Sequence, residues 1–198
     1  MNSFEIAEFI VFLCASILYI YHLTNNKYFI PNPLGFGIWL LADAANLFTY
    51  LDFSKFWVGP VIMVLGVLIV VVIGIVRTVI SKNKISYKLA ILDWFTIILV
   101  TSSIVFWIIT NNAVLSNLAI QIVLAMGFIP IIKELIVEKK IEPLLPWTLF
   151  SIGFLIVLIH TLNYYERWEE LFYPVIGLFG DLTVLILSGY NKVIKSIS

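Results

Sequence analysis

Seven apolar runs of about 20 residues each, parted by short polar segments, constrain this chain more than any other feature. They are Phe4–Leu23, Leu34–Leu51, Trp57–Ile80, Leu89–Thr110, Val114–Ile136, Leu144–Leu162 and Leu171–Tyr190. That length is what an α-helix needs to cross the hydrocarbon core of a bilayer. The expected fold is all-α: a polytopic membrane protein with seven transmembrane helices. Composition agrees. Hydrophobic residues make up 62% and charged residues 12%, where a soluble domain carries about 25% charged. Mean hydropathy is +1.06. The separating segments, such as Asn25-Asn26-Lys27, Ser81-Lys82-Asn83-Lys84, Glu142-Pro143 and Glu166-Arg167, are too short to fold alone. Residues 1–198 therefore read as one transmembrane domain. A net charge of zero gives no reason to expect a nucleic-acid partner. The one cysteine, Cys14, has no intrachain disulfide partner and reads as a small structural residue. The first run lacks the basic start of a secretory signal and carries Glu5 and Glu8 there instead. It reads as a retained helix whose two acids are wet at the outer surface.

Lys and Arg accumulate in cytoplasmic loops. With the N-terminus outside, ten of the 12 basic residues fall inside, leaving Lys55 and Arg167 outside. The expectation is an integral protein of the cell membrane, with its N-terminus outside and its C-terminus cytoplasmic.

The chain also repeats itself. Pro60-Val61-Ile62-Met63-Val64-Leu65-Gly66-Val67-Leu68-Ile69-Val70 matches Pro174-Val175-Ile176-Gly177-Leu178-Phe179-Gly180-Asp181-Leu182-Thr183-Val184. The shared Pro and Gly carry more weight than shared Val or Leu, because each marks a backbone feature. Pro33 and Trp39 are echoed by Pro143 and Trp147. Residues 1–80 and 114–190 then form two three-helix repeats running in the same direction, with 89–110 as a linker helix. Parallel repeats related by an axis along the membrane normal are a known transporter design.

This three-plus-one-plus-three order resembles the SWEET sugar transporters and the wider PQ-loop group. The local match is Gly127-Phe128-Ile129-Pro130-Ile131-Ile132-Lys133, then Lys139-Lys140 and Leu144-Leu145-Pro146-Trp147. It is similar to that group's helix-ending proline, basic loop and following helix. Ile131 stands where the group has its glutamine, and Leu18-Tyr19 where the first repeat has its proline. Val67 and Asp181 occupy the positions at which the sugar transporters use paired asparagines. The resemblance implies a seven-helix architecture and solute transport.

Ionisable groups inside a membrane are costly and point to function. Asp43 lies near the middle of the second run and Asp181 near the middle of the seventh. Helical spacing puts Trp39, Asp43, Asn46 and Tyr50 on one face, and that face should turn inward. Asp181 shares a face with Gly177 and Ser188, and Asn117 with Gln121. The expected site is a polar chamber that binds a small solute, formed by Trp39, Asp43, Asn46, Tyr50, Gln121, Gly177 and Asp181. The competing explanation is structural, with each Asp hydrogen-bonded between helices. Two acids at similar depth repel if both are ionised, so one should carry a proton or hold a cation.

The remaining candidates read as structural. Asp93 suits a salt bridge with Arg77 or Lys88, and Thr101-Ser102-Ser103 suits bonds to their own backbone. His22 and His160 read as interfacial, since neither has a second metal ligand at helical spacing. Trp57, Trp107 and Trp168 suit an outer aromatic belt, and Trp39, Trp94 and Trp147 an inner one. Gly177-Leu178-Phe179-Gly180-Asp181 falls one residue out of the Gly-x-Gly-Asp pattern of intramembrane aspartyl proteases. There is no Gly-x-Ser-x-Gly elbow, no phosphate loop and no lysine within the last run for a retinal. The expectation is a non-enzyme without cofactor or metal. It would move a small polar or cationic solute by alternating access, with a proton as coupling ion. The alternative is a non-transporting membrane partner or effector acting through intramembrane contacts, with a second copy or another membrane protein as its partner.

Overall fold

A computed structural model describes residues 3–26, 29, 31–53, 58–80, 91–110, 112–164 and 167–197. The side chains of Tyr50, Arg77, Asp93, Ser103 and Trp107 lie outside the described set. So do residues Lys27, Lys55, Trp57, Lys82, Lys84 and Lys88. Every regular element among the described residues is helical. The α-helices are α1 (Ser3–Asn25), α2 (Pro33–Phe53), α3 (Val58–Ile80), α4 (Ile91–Thr110), α5 (Ala113–Val137), α6 (Leu144–Tyr164) and α7 (Phe172–Ile197). A 3₁₀ turn, Trp168–Leu171, leads into α7. Four described segments are long and apolar enough to cross a membrane: Ser3–Asn25, Val114–Val137, Leu144–Tyr164 and Trp168–Ile197. The chain has the character of an integral membrane protein.

Local chemistry sets the helix ends. Asn32 caps α2: its Oδ1 accepts from Gly35 N at 2.8 Å, and Pro33 takes the first helical position, where no N–H is required. Asn112 caps α5 by accepting from Leu115 N at 3.1 Å. At the other end of α5, Lys139 adopts φ 52, the left-handed conformation that turns a chain out of a helix. α7 runs seven residues past its apolar stretch. Asn191 holds that tail by donating to the carbonyls of Leu135 (2.7 Å) and Lys140 (2.9 Å).

The helices pack in a closed order. α1 packs on α3, α3 on α2, α2 on α5, α5 on α7, α7 on α6, and α6 back on α1, while α4 leans on α5 and α2 from outside. Glycines allow the closest approaches. A Cβ on Gly127 would collide with the Trp39 indole, one on Gly177 with Phe154, and one on Gly180 with Phe128. Gly66 meets Ser16 of α1, as Gly180 meets Phe128 of α5. Nothing lies within 4 Å of a Cβ on Gly37. Gly127→Ala is therefore expected to destabilise by about 1–3 kcal/mol through overpacking. Gly37→Ala should be neutral or stabilising by up to about 1 kcal/mol, the helix-propensity gain. Thermal unfolding of both variants in detergent checks the contrast, and equal shifts would contradict this packing.

Several expectations are corrected by the packing. Glu8 is buried rather than wet, because α1 turns it inward with Phe12, Ala15 and Tyr19. His160 is buried and stacked on Phe4, with ring centroids 5.3 Å apart. Cys14 is exposed on α1 beside Ile10, Leu13 and Ile17, a face turned away from the core. Trp39 and Trp147 are core residues, whereas Trp94 and Trp168 are exposed as belt residues would be. Thr101 does bond its own backbone, donating to the Ile97 carbonyl at 2.9 Å.

Candidate functional site

The closed order of helices surrounds a cavity with room of about 50 Å³ for the centres of water-sized molecules. α2 contributes Phe36, Trp39 and Asp43, and α3 contributes Met63 and Val67. Leu124 and Phe128 come from α5, and Trp147, Phe150 and Phe154 from α6. α7 adds Tyr173, Ile176, Gly177 and Asp181. The two acids, far apart in sequence, thus line one space. Each is buried, with 3% of its surface exposed. Asp181 Oδ2 has no hydrogen-bond partner among the described residues. Val67, opposite Asp181 in the repeat alignment, lines the same cavity. The two positions aligned in the sequence therefore face one space, but only one of them is an acid.

The walls are aromatic. Trp39 sits edge-on to Phe128 (4.6 Å between centroids) and to Trp147 (6.0 Å). Its Nε1 donates to the Leu124 carbonyl at 3.2 Å, an approach that Gly127 permits. Phe154 meets Tyr173 edge-on at 5.4 Å. Trp39 of α2 and Trp147 of α6 therefore pack against each other in the cavity wall.

Of the seven residues expected to form a polar chamber, Trp39, Asp43, Gly177 and Asp181 line the cavity. Asn46 and Gln121 do not. Asn46 Oδ1 accepts from Asn117 Nδ2 (2.6 Å) and Gln121 Nε2 (2.7 Å), which joins α2 to α5 through a buried amide cluster. The Asn117 and Gln121 donors therefore go to Asn46, while Gln121 Oε1 has no hydrogen-bond partner among the described residues. The Tyr50 side chain lies outside the described residues.

A second polar group went unrecognised in the sequence. Glu142, in the turn before α6, is 1% exposed. It accepts from Tyr19 Oη (2.9 Å) and Trp147 Nε1 (3.3 Å), and Lys140 Nζ stands 3.6 Å from it. Lys140 also pairs with Glu134 at 2.6 Å, and Glu134 accepts from Asn32 Nδ2. Burial pushes the Glu142 carboxyl above its ordinary range, and Lys140 with the two hydrogen bonds offsets this only in part. The network ties α1 and the start of α2 to α5 and the start of α6. Trp147 belongs both to it and to the cavity wall, so it joins the network to the cavity. One signal was available. Glu142 precedes Pro143 as Asn32 precedes Pro33, and the repeat had already placed those prolines together.

The chain matches no protein-family model, no curated protein and no solved structure.

Proposed function

We propose that this protein is a seven-helix transporter that carries a small polar or cationic solute across the bilayer by alternating access, with a proton as coupling ion. One observation carries this reading: two buried carboxyls, Asp43 and Asp181, line a single internal cavity between the helices. Buried acids in an apolar bundle are expensive, and they typically mark a solute or proton path.

The packing supports the three-plus-one-plus-three architecture. Exchanging α1 with α5, α2 with α6 and α3 with α7 turns the set of packed pairs in the closed order into itself. That is the behaviour of two parallel repeats about an axis through the cavity, with α4 as the linker. α2, α3 and α4 then span the membrane beside the four helices that satisfy the length and hydropathy requirement. The SWEET-like resemblance suggests the same plan. In this reading the Glu142 network, which joins α1, α2, α5 and α6 beside Lys140, is the inner gate.

The orientation is tested by cysteine labelling from outside on a Cys14-free background. A cysteine at Asn112 should react and one at Lys84 should not; the reverse would invert the assignment. Transport is tested by flux into proteoliposomes under an imposed pH gradient. If the wild type moves neither solute nor proton, and variants at both acids lose stability together, the acids are structural. An intramembrane partner role then replaces transport.

A further inference from the structure

The lining of the cavity is specific enough to name a class of ligand. Among the residues that line it from α2, α3, α5, α6 and α7, the titratable side chains are Asp43, Asp181 and Tyr173, with no Lys, Arg or His. The rest of the wall is aromatic or aliphatic apart from Gly177. A sugar needs many paired donors and acceptors, and the buried amides that could supply them, Asn46, Asn117 and Gln121, do not line the cavity. A zwitterion such as an amino acid would bring a carboxylate to a cavity with no cation to meet it. A bare metal cation needs about six oxygen ligands to replace its water. Among the described residues no cluster of three His, Cys, Asp or Glu could hold one. What remains favoured by fixed negative charge and aromatic walls is an organic cation, attracted by carboxylates and by the ring quadrupoles.

We propose that the cavity binds a small organic ammonium ion lacking any carboxylate of its own, with Asp43 and Asp181 as counter-charges and Trp39, Trp147 and Phe128 as walls. Asp181 Oδ2, buried and unbonded among the described residues, is the acceptor for an ammonium N–H. The room of about 50 Å³ equals roughly three to five water positions at about 10–15 Å³ each. This suits an alkylammonium of about four or five non-hydrogen atoms. Binding releases the proton from one carboxyl, so the cation enters as the proton leaves and the charge in the cavity is unchanged. The proposal rests on the transport reading only for its physiological role; the site itself is tested without flux.

The experiment titrates isopropylammonium chloride into the full-length protein in detergent, reading tryptophan fluorescence and thermal stability at constant ionic strength. Sodium chloride, glycine and glucose are the controls. Saturable binding of isopropylammonium alone is expected, tightening by up to about tenfold per pH unit while a proton is released. Asp181→Asn should weaken binding at least about tenfold, and Trp39→Leu should weaken it less. If the folded wild type does not saturate with isopropylammonium, or responds equally to glycine or glucose, the proposal is overturned whatever the variants do. Flux of another solute without ammonium binding would sink the ligand assignment and leave transport standing. Ammonium binding without flux would do the opposite.

Discussion

Asp181→Asn is expected to abolish pH-dependent solute movement in proteoliposomes while the protein stays folded in the membrane. Asn keeps the volume and an acceptor oxygen but can neither carry the charge nor release the proton. Asp181 lines the cavity and leaves one oxygen unbonded among the described residues, so the substitution breaks no hydrogen bond to that oxygen. Folding should therefore change little. Asp43→Asn should shift affinity or pH dependence more than stability, because the second acid still faces the cavity. The asymmetry between the halves motivates the contrast. Asp181 is matched by Val67, and Asp43 by Ser151 in the Trp39–Trp147 alignment, where Ser151 donates to its own helix at the Trp147 carbonyl (2.9 Å). A packing device would be expected in both halves. Flux and thermal stability measured in parallel separate the two effects. Loss of stability in both variants, with no flux in the wild type, would assign the acids a structural role.

Glu142→Ala should have the largest effect on stability, about 2–5 kcal/mol. It removes one acceptor shared by two donors, Tyr19 Oη and Trp147 Nε1, and leaves both without it in a buried place. It also removes the carboxylate beside Lys140. Glu142→Gln retains an acceptor oxygen and should cost less. The comparison has a definite pH sign. Burial raises the Glu142 carboxyl above its ordinary range, so the folded state holds this proton more tightly than the unfolded state does. Stability from this group is complete below the ordinary carboxylate range and is lost as pH rises through the raised value. Wild type should thus lose thermal stability relative to Glu142→Gln as pH increases over that window. A difference independent of pH, or one of opposite slope, would show that Glu142 is ionised at no cost in the fold.

Sequence alone was sufficient where the physics is local. The apolar runs predicted the helix ends to within two residues, except at the C-terminal end of α7, because helix length and hydropathy are properties of contiguous chain. The caps at Asn32 and Asn112 are equally local, each spanning only three residues, but they were seen only in the structure. The inward face of Trp39, Asp43 and Asn46 followed from the helical period, and all three are buried. Which inward-facing residues meet was decided only in the tertiary structure. Asp43 and Asp181 share a cavity because α2 and α7 both border it. Asn46 and Gln121 are drawn from that cavity into an amide cluster because α2 lies against α5. Trp39 and Trp147 suited an interfacial belt by composition, yet each fills the core where a glycine or a partner ring leaves room. Glu142 looked like loop punctuation and is instead a buried acid joining α1 to α6, because Tyr19 is 123 residues away in sequence and 2.9 Å away in space. Hydropathy and period act along one helix; burial, pairing and charge neighbours depend on which helices adjoin, and that is a property of the packed bundle.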